Sequence, residues 1–149
     1  MSKLLIVDDS PALLQALKYI LEGNDYIVKT LNNVDDIYNE IHDFQPDLLM
    51  LDIFLDGEDK REICKELRAA VENKDLRIIV LSSFPKQIED YKNYCIDDFL
   101  EKPFELKSLM EKIKSLLCLQ AASYNSSDAE EKNFYIASKL EMNIKSNCH

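Results

Sequence analysis

Short apolar runs alternate with longer stretches of helical spacing along this chain, and the alternation repeats five times. Lys3–Val7, Tyr26–Thr30, Asp47–Leu51, Arg77–Leu81 and Asp98–Glu101 read as strands. The run Leu48-Leu49-Met50-Leu51 is too short for an independent helix and reads as a strand buried on both faces. Between the strands, apolar residues recur at helical spacing. Leu13, Leu14, Leu17, Ile20 and Leu21 predict a first helix, with Ser10 as N-cap, Pro11 in the first turn and Gly23 as the stop. Val34, Ile37, Tyr38 and Ile41 predict a second, closed before Pro46. Ile63, Cys64, Leu67 and Val71 predict a third, and a short fourth is expected near Pro85. Leu106, Leu109, Met110, Ile113, Leu116 and Leu117 predict a long final helix.

Strict strand–helix alternation argues for an α/β fold: one parallel sheet with helices on both faces. Residues 1–119 are expected to form that domain. Gln120–Ser127 is small and polar and reads as a linker. Beyond it Ser127-Asp128-Ala129-Glu130 resembles a capping box, and Ala129, Ile136, Ala137, Leu140 and Ile144 predict an extra helix in a 120–149 extension. No separate output domain is expected in a tail of that length.

Charge and cysteines narrow the function. A net charge of −10 argues against direct nucleic-acid binding, which needs a basic face. No apolar run reaches bilayer length and no signal-peptide pattern precedes the first strand, so a soluble cytoplasmic protein without a membrane partner is expected. Cys64, Cys95, Cys118 and Cys148 are widely spaced, and neither His42 nor His149 has a partner at zinc-ligand spacing. Reduced thiols are expected, with Cys64 and Cys118 as small core residues.

The candidate chemistry lies where the strands end. Asp8 and Asp9 close the first strand, Asp52 the third, Ser82 the fourth and Lys102 the fifth. Ligands of open parallel sheets bind at the carboxyl ends of the strands, where the strand order reverses. Two carboxylates about 4 Å apart repel by roughly 4 kcal/mol at an effective dielectric of 20. Three together call for a cation or a captured proton. A magnesium ion takes one or two carboxylates and keeps waters for a phosphate ligand. Lys102 adds a positive charge suited to a phosphoryl oxygen, and an Asp so flanked can act as a nucleophile towards phosphorus.

These residues, with Leu-Leu-Ile-Val before Asp8-Asp9, Leu-Leu-Met-Leu before Asp52, and Phe99-Leu100-Glu101-Lys102-Pro103-Phe104, resemble the receiver domain of two-component response regulators over about residues 3–118. The resemblance implies a flavodoxin-like, doubly wound five-stranded parallel sheet of order 2-1-3-4-5 with five helices. It implies that Asp52 accepts a phosphoryl group from a sensor histidine kinase or a histidine phosphotransfer protein, with slow self-dephosphorylation and no other enzymatic activity. Asp9, Asp52 and the backbone carbonyl of Phe54 would bind Mg2+, with Asp8 helping through water. Lys102 would contact the phosphoryl group and precede a cis proline. Ser82 and Phe99 would be the switch residues that alter a protein-binding face read by a downstream protein target. A homodimer through the tail or the last-helix face is also compatible with it.

Some positions depart from the family pattern. Asp56 and Lys60 stand where Pro and Gly are frequent, Ser82 replaces Thr, Phe99 replaces Tyr, and Cys95-Ile96 replace Gly-Ala. They bear on the output face more than on the chemistry. Two other readings differ in class: an interaction module that keeps the fold but works without phosphorylation, and a phosphatase with an aspartyl nucleophile. The complete Asp8, Asp9, Asp52, Ser82, Lys102 set disfavours the first, and Phe54 two residues after Asp52 disfavours the second. Phe54 and Phe84, each two positions beyond a site residue, are expected to shield the phosphoryl group from water.

Overall fold

The computed structural model describes residues 1–84 and 91–124. Its strands are β1 (Lys3–Val7), β2 (Ile27–Leu31), β3 (Leu48–Asp52), β4 (Phe54–Leu55), β5 (Glu58–Asp59), β6 (Arg77–Ser82) and β7 (Asp98–Glu101). Its helices are α1 (Pro11–Glu22), α2 (Ile37–Phe44), α3 (Arg61–Ala69) and α4 (Leu106–Tyr124). Five strands form one parallel sheet in the order β2-β1-β3-β6-β7. Counted over those strands alone, this is the expected 2-1-3-4-5 arrangement of a doubly wound, flavodoxin-like fold. β4 and β5 form a separate antiparallel ribbon.

The period-2 alternation of strand side chains divides the core into two layers. Leu4 and Ile6 of β1, Leu48 and Met50 of β3, and Ile79 and Leu81 of β6 pack with Leu14, Leu17 and Leu21 of α1 and Leu109, Ile113 and Leu116 of α4. Their neighbours Leu5, Val7, Leu49, Leu51, Ile78 and Val80 pack on the other face with Ile37 and Ile41 of α2 and Cys64 and Leu67 of α3. Each fully buried large aliphatic side chain contributes roughly 1.5–3 kcal/mol. These central strands therefore fix the sheet far more strongly than any single surface pair does.

The start of α1 follows the sequence: Ser10 Oγ accepts the Leu13 N–H at 3.3 Å and Pro11 opens the helix. Its end differs. Gly23 keeps right-handed backbone at φ −65° and its N–H donates to Tyr19 O, while Asp25, at φ +66°, takes the left-handed turn. The third helix stops at Ala69, earlier than its apolar spacing suggests. Ala70 is extended (φ −76°, ψ 126°) and swings Val71 out to 83% exposure. Cys118 is exposed rather than core, because it lies about 200° around α4 from the buried Leu116.

The final helix also runs past Gln120 to Tyr124, so the predicted linker begins as helix. Gln and Ala are strong helix formers. The expected fourth helix near Pro85 falls on 85–90, outside the described residues, and only a single 3-10 turn, Tyr91–Tyr94, follows it. The predicted tail helix lies outside them too. Among the described residues no helix is long and apolar enough to cross a membrane.

Candidate functional site

In the sheet order, β1 and β3 are neighbours from which the chain winds outward in opposite directions, and their carboxyl ends open the crevice expected of such a fold. Asp8 follows β1. Its N–H donates to Leu31 O at 3.1 Å, continuing the pairing with β2, so the side chain is delivered fully buried. Oδ1 of Asp8 accepts the Ser10 N–H at 2.9 Å and Oδ2 accepts Lys102 Nζ at 2.5 Å. Asp52, the last residue of β3, is held the same way. Its Oδ1 accepts the Phe54 N–H and its Oδ2 accepts Lys102 Nζ, each at 3.0 Å. One ammonium therefore joins two buried carboxylates that are 44 residues apart in sequence.

Asp9 is exposed, yet one of its carboxylate oxygens lies with one each from Asp8 and Asp52 inside a common 4.8 Å span. Ser82 ends β6 fully buried, and its hydroxyl donates to Phe84 O and accepts the Phe84 N–H, both at 3.0 Å. The backbone N–H of Lys102 donates to Ser82 O at 2.7 Å, extending the β6–β7 pairing by one residue, and the Lys102–Pro103 peptide is cis. All five strand-end side chains singled out from the sequence thus stand on one edge of the sheet.

The electrostatics are those of crowded acids. Burial pushes the Asp52 carboxyl up from its ordinary value, and the Asp8 charge adds to this. The Phe54 N–H and Lys102 pull in the opposite direction without cancelling it. Burial works against the Lys102 charge, but its hydrogen bonds and attraction to Asp8 and Asp52 hold its pKa above the usual lysine value. Three carboxylates against one ammonium leave a net negative pocket of hard oxygen donors, which fits a small divalent cation.

The loop after Asp52 has a defined shape where the sequence departs from the family pattern. Asp56 and Gly57 both have positive φ, +53° and +73°, the backbone of a type I′ hairpin turn, for which Asp-Gly is well suited. The turn folds β5 back on β4, and Ile53 O accepts the Lys60 N–H at 2.6 Å. Phe54 on this ribbon meets Phe84, beyond Ser82, edge to face with ring centroids 5.2 Å apart. Phe99 is half-buried, its ring set against Tyr91 at 5.0 Å with the Lys112 ammonium 5.8 Å from its centroid. The two lateral partners of Phe99 were not found by sequence reasoning.

Comparison with known proteins points the same way as this geometry. The family model described as the response regulator receiver domain matches residues 4–114. The chain is 33% identical over 117 residues to the phosphate regulon transcriptional regulatory protein PhoB of Rhizobium meliloti, across 77% of this chain and 52% of that protein. It thus spans about half the length of that relative. Among solved structures it is similar to the response regulator TrrA of Thermotoga maritima in complex with Mg(2+)-BeF, with a TM-score of 0.69 and 30% identity over 78% of this chain and 99% of that one. A response regulator signal receiver domain from Bermanella marisrubri gives a TM-score of 0.70 at 26% identity, covering 77% of this chain and 97% of the other.

Proposed function

The chain belongs to the response regulator receiver domain family of two-component systems, and from that premise we propose that it is a phosphoacceptor switch in which Asp52 takes a phosphoryl group from a phosphohistidine. The donor is a sensor histidine kinase or a histidine phosphotransfer protein. The observation that carries this reading is the Lys102 ammonium bonded at once to Asp8 (2.5 Å) and Asp52 (3.0 Å). It holds the nucleophile and offers a charge to the incoming phosphoryl group.

Both Asp52 oxygens are anchored, one by the Phe54 N–H and one by Lys102, which fixes the carboxylate plane before a donor arrives. In the transfer, a carboxylate oxygen forms the new O–P bond as the donor's P–N bond breaks. The imidazole nitrogen recovers its electron pair and takes up a proton. Positioning and charge neutralisation supply most of the acceleration. Asp9, Asp52 and the Phe54 carbonyl would hold Mg2+, with Asp8 beside them, and the ion, when bound, neutralises charge on the phosphoryl oxygens. Ser82, whose hydroxyl donates to the Phe84 carbonyl, would exchange that bond for one donated to a phosphoryl oxygen. Phe99 then follows the vacated space.

Phosphorylation adds roughly two negative charges and new acceptor oxygens at this edge. The altered face, made by β7 and α4, is read by a downstream protein. The test is incorporation of phosphate from a small phosphoramidate with magnesium. Wild type is expected to form an acid-stable, base-labile acyl phosphate and Asp52→Asn none. Equal labelling of both would reject Asp52 as the acceptor.

A further inference from the structure

β7 is an edge strand, and its side chains alternate between the two faces of the sheet. Asp98 and Leu100 point towards the α4 side, while Phe99 packs with the cluster on the other side. Around the outer edge of that strand a single ammonium reaches both. Lys112 Nζ, on α4, bonds the two oxygens of Asp98 at 3.0 and 3.1 Å and stands 5.8 Å from the centre of the Phe99 ring. The same Asp98 Oδ1 accepts the Phe99 N–H at 2.8 Å. Tyr91 closes the other flank of the ring, edge to face at 5.0 Å. The backbone of Phe99, its ring and the last helix are thus tied through one carboxylate and one ammonium.

We propose that Lys112 is a latch: held by Asp98, it pins the Phe99 ring in its seat against Tyr91 and sets the resting position that modification must release. The proposal rests on the phosphoacceptor reading for its regulatory meaning, but the pinning itself does not. A ring leaving this seat gives up the cation and the Tyr91 edge together, so both contacts stabilise the resting state only. Lys112 bonds Asp98 rather than Asp52, and it acts through Phe99 as a positioning residue. Because Asp98 fixes the ammonium, a longer cation with the same charge can replace lysine, whereas a neutral side chain of similar bulk cannot.

The test uses the full chain with ring-labelled phenylalanine, followed by NMR. In the unmodified protein, Lys112→Met is expected to weaken the Phe99–Tyr91 ring contacts and shift the Phe99 resonances, while Lys112→Arg retains them. Titration with beryllofluoride and magnesium should then show an apparent affinity about fivefold tighter in Lys112→Met than in wild type, the size of one exposed cation–π contact. Unchanged Phe99–Tyr91 contacts in Lys112→Met would overturn the latch. A wild-type protein whose Phe99 resonances ignore the analogue and magnesium would overturn the phosphoacceptor reading instead, and the contacts without analogue would still decide the latch.

Discussion

The ring of Phe54 meets the ring of Phe84 edge to face, 5.2 Å between centroids, so the loops that follow Asp52 and Ser82 touch through their aromatic tips. The backbone N–H of Phe54 holds Asp52 and that of Phe84 holds Ser82, which makes the pair a direct extension of the pocket. If Asp52 carries the proposed acyl phosphate, Phe54→Asn should remove the contact and admit water beside it. Self-dephosphorylation should accelerate by about tenfold, the rate equivalent of an aromatic pair of up to about 1.5 kcal/mol. Phosphate release after removal of the donor measures it, and an unaltered decay would exclude shielding by this pair.

Three carboxylates have oxygens inside 4.8 Å and one ammonium bonds only two of them, Asp8 and Asp52, so the pocket is strained by repulsion when no divalent cation is present. Asp52→Asn should therefore melt a few degrees above wild type in chelator. Magnesium at a hundredfold excess over its dissociation constant should stabilise wild type by about 2.7 kcal/mol. Asp9→Asn should blunt that response. Melting curves with and without magnesium report all three, and a Tm insensitive to the ion would refute the cation site.

Alkaline pH should loosen the fold through groups far from the pocket. Burial pushes the Cys64 thiol up to about 12, with Arg68 offsetting only part of this. Partial desolvation of its half-exposed ring and the Glu66 carboxylate, which accepts the Tyr38 hydroxyl, push Tyr38 up to about 12 as well. Between about pH 9 and pH 12 the folded chain keeps protons that the unfolded chain has lost, so the stability these groups contribute is present below that window and lost as pH rises through it. Native-state labelling at pH 8 should modify the exposed Cys118 and spare the fully buried Cys64. Equal labelling rates would contradict the burial.

At the opposite end of the sheet from the pocket, Asp97 is 5% exposed and accepts the Ile78 N–H at 2.8 Å and Arg68 at 2.9 Å, with Arg77 at 3.5 Å. Asp97→Ala would strand two half-buried guanidinium groups and an amide. A loss of about 3 kcal/mol is expected in urea unfolding, with magnesium binding unchanged. A loss below about 0.5 kcal/mol, ordinary for a surface site, would contradict this anchor.

The sheet was legible because burial on both faces leaves strands such as Leu48–Leu51 with no polar residue until the edge is reached, and Asp52 marks that edge. The same logic picked out Asp8, Ser82 and Lys102. Interactions set by three-dimensional neighbours were not legible. Tyr38 shares the spacing of Ile37 and Ile41 but is 47% exposed, because Glu66 on α3 offers it a hydrogen bond at the surface. Val71 fits the helical period of α3, yet the extended Ala70 ends that period one residue earlier. Nothing in the spacing of Asp98, Phe99 and Lys112 says that a sheet edge lies between them, since this depends on which strand is outermost. That follows from the strand order, a property of the whole fold.

The short bond from the Lys102 amide to the Ser82 carbonyl has a thermodynamic corollary. Hydroxyl and ammonium hang from one continuous stretch of ladder, so displacing either residue's backbone drags the other. Substitutions at the two positions should consequently be non-additive, and the interaction energy of a double-mutant cycle, rather than either single variant, measures how tightly the pocket senses its occupant.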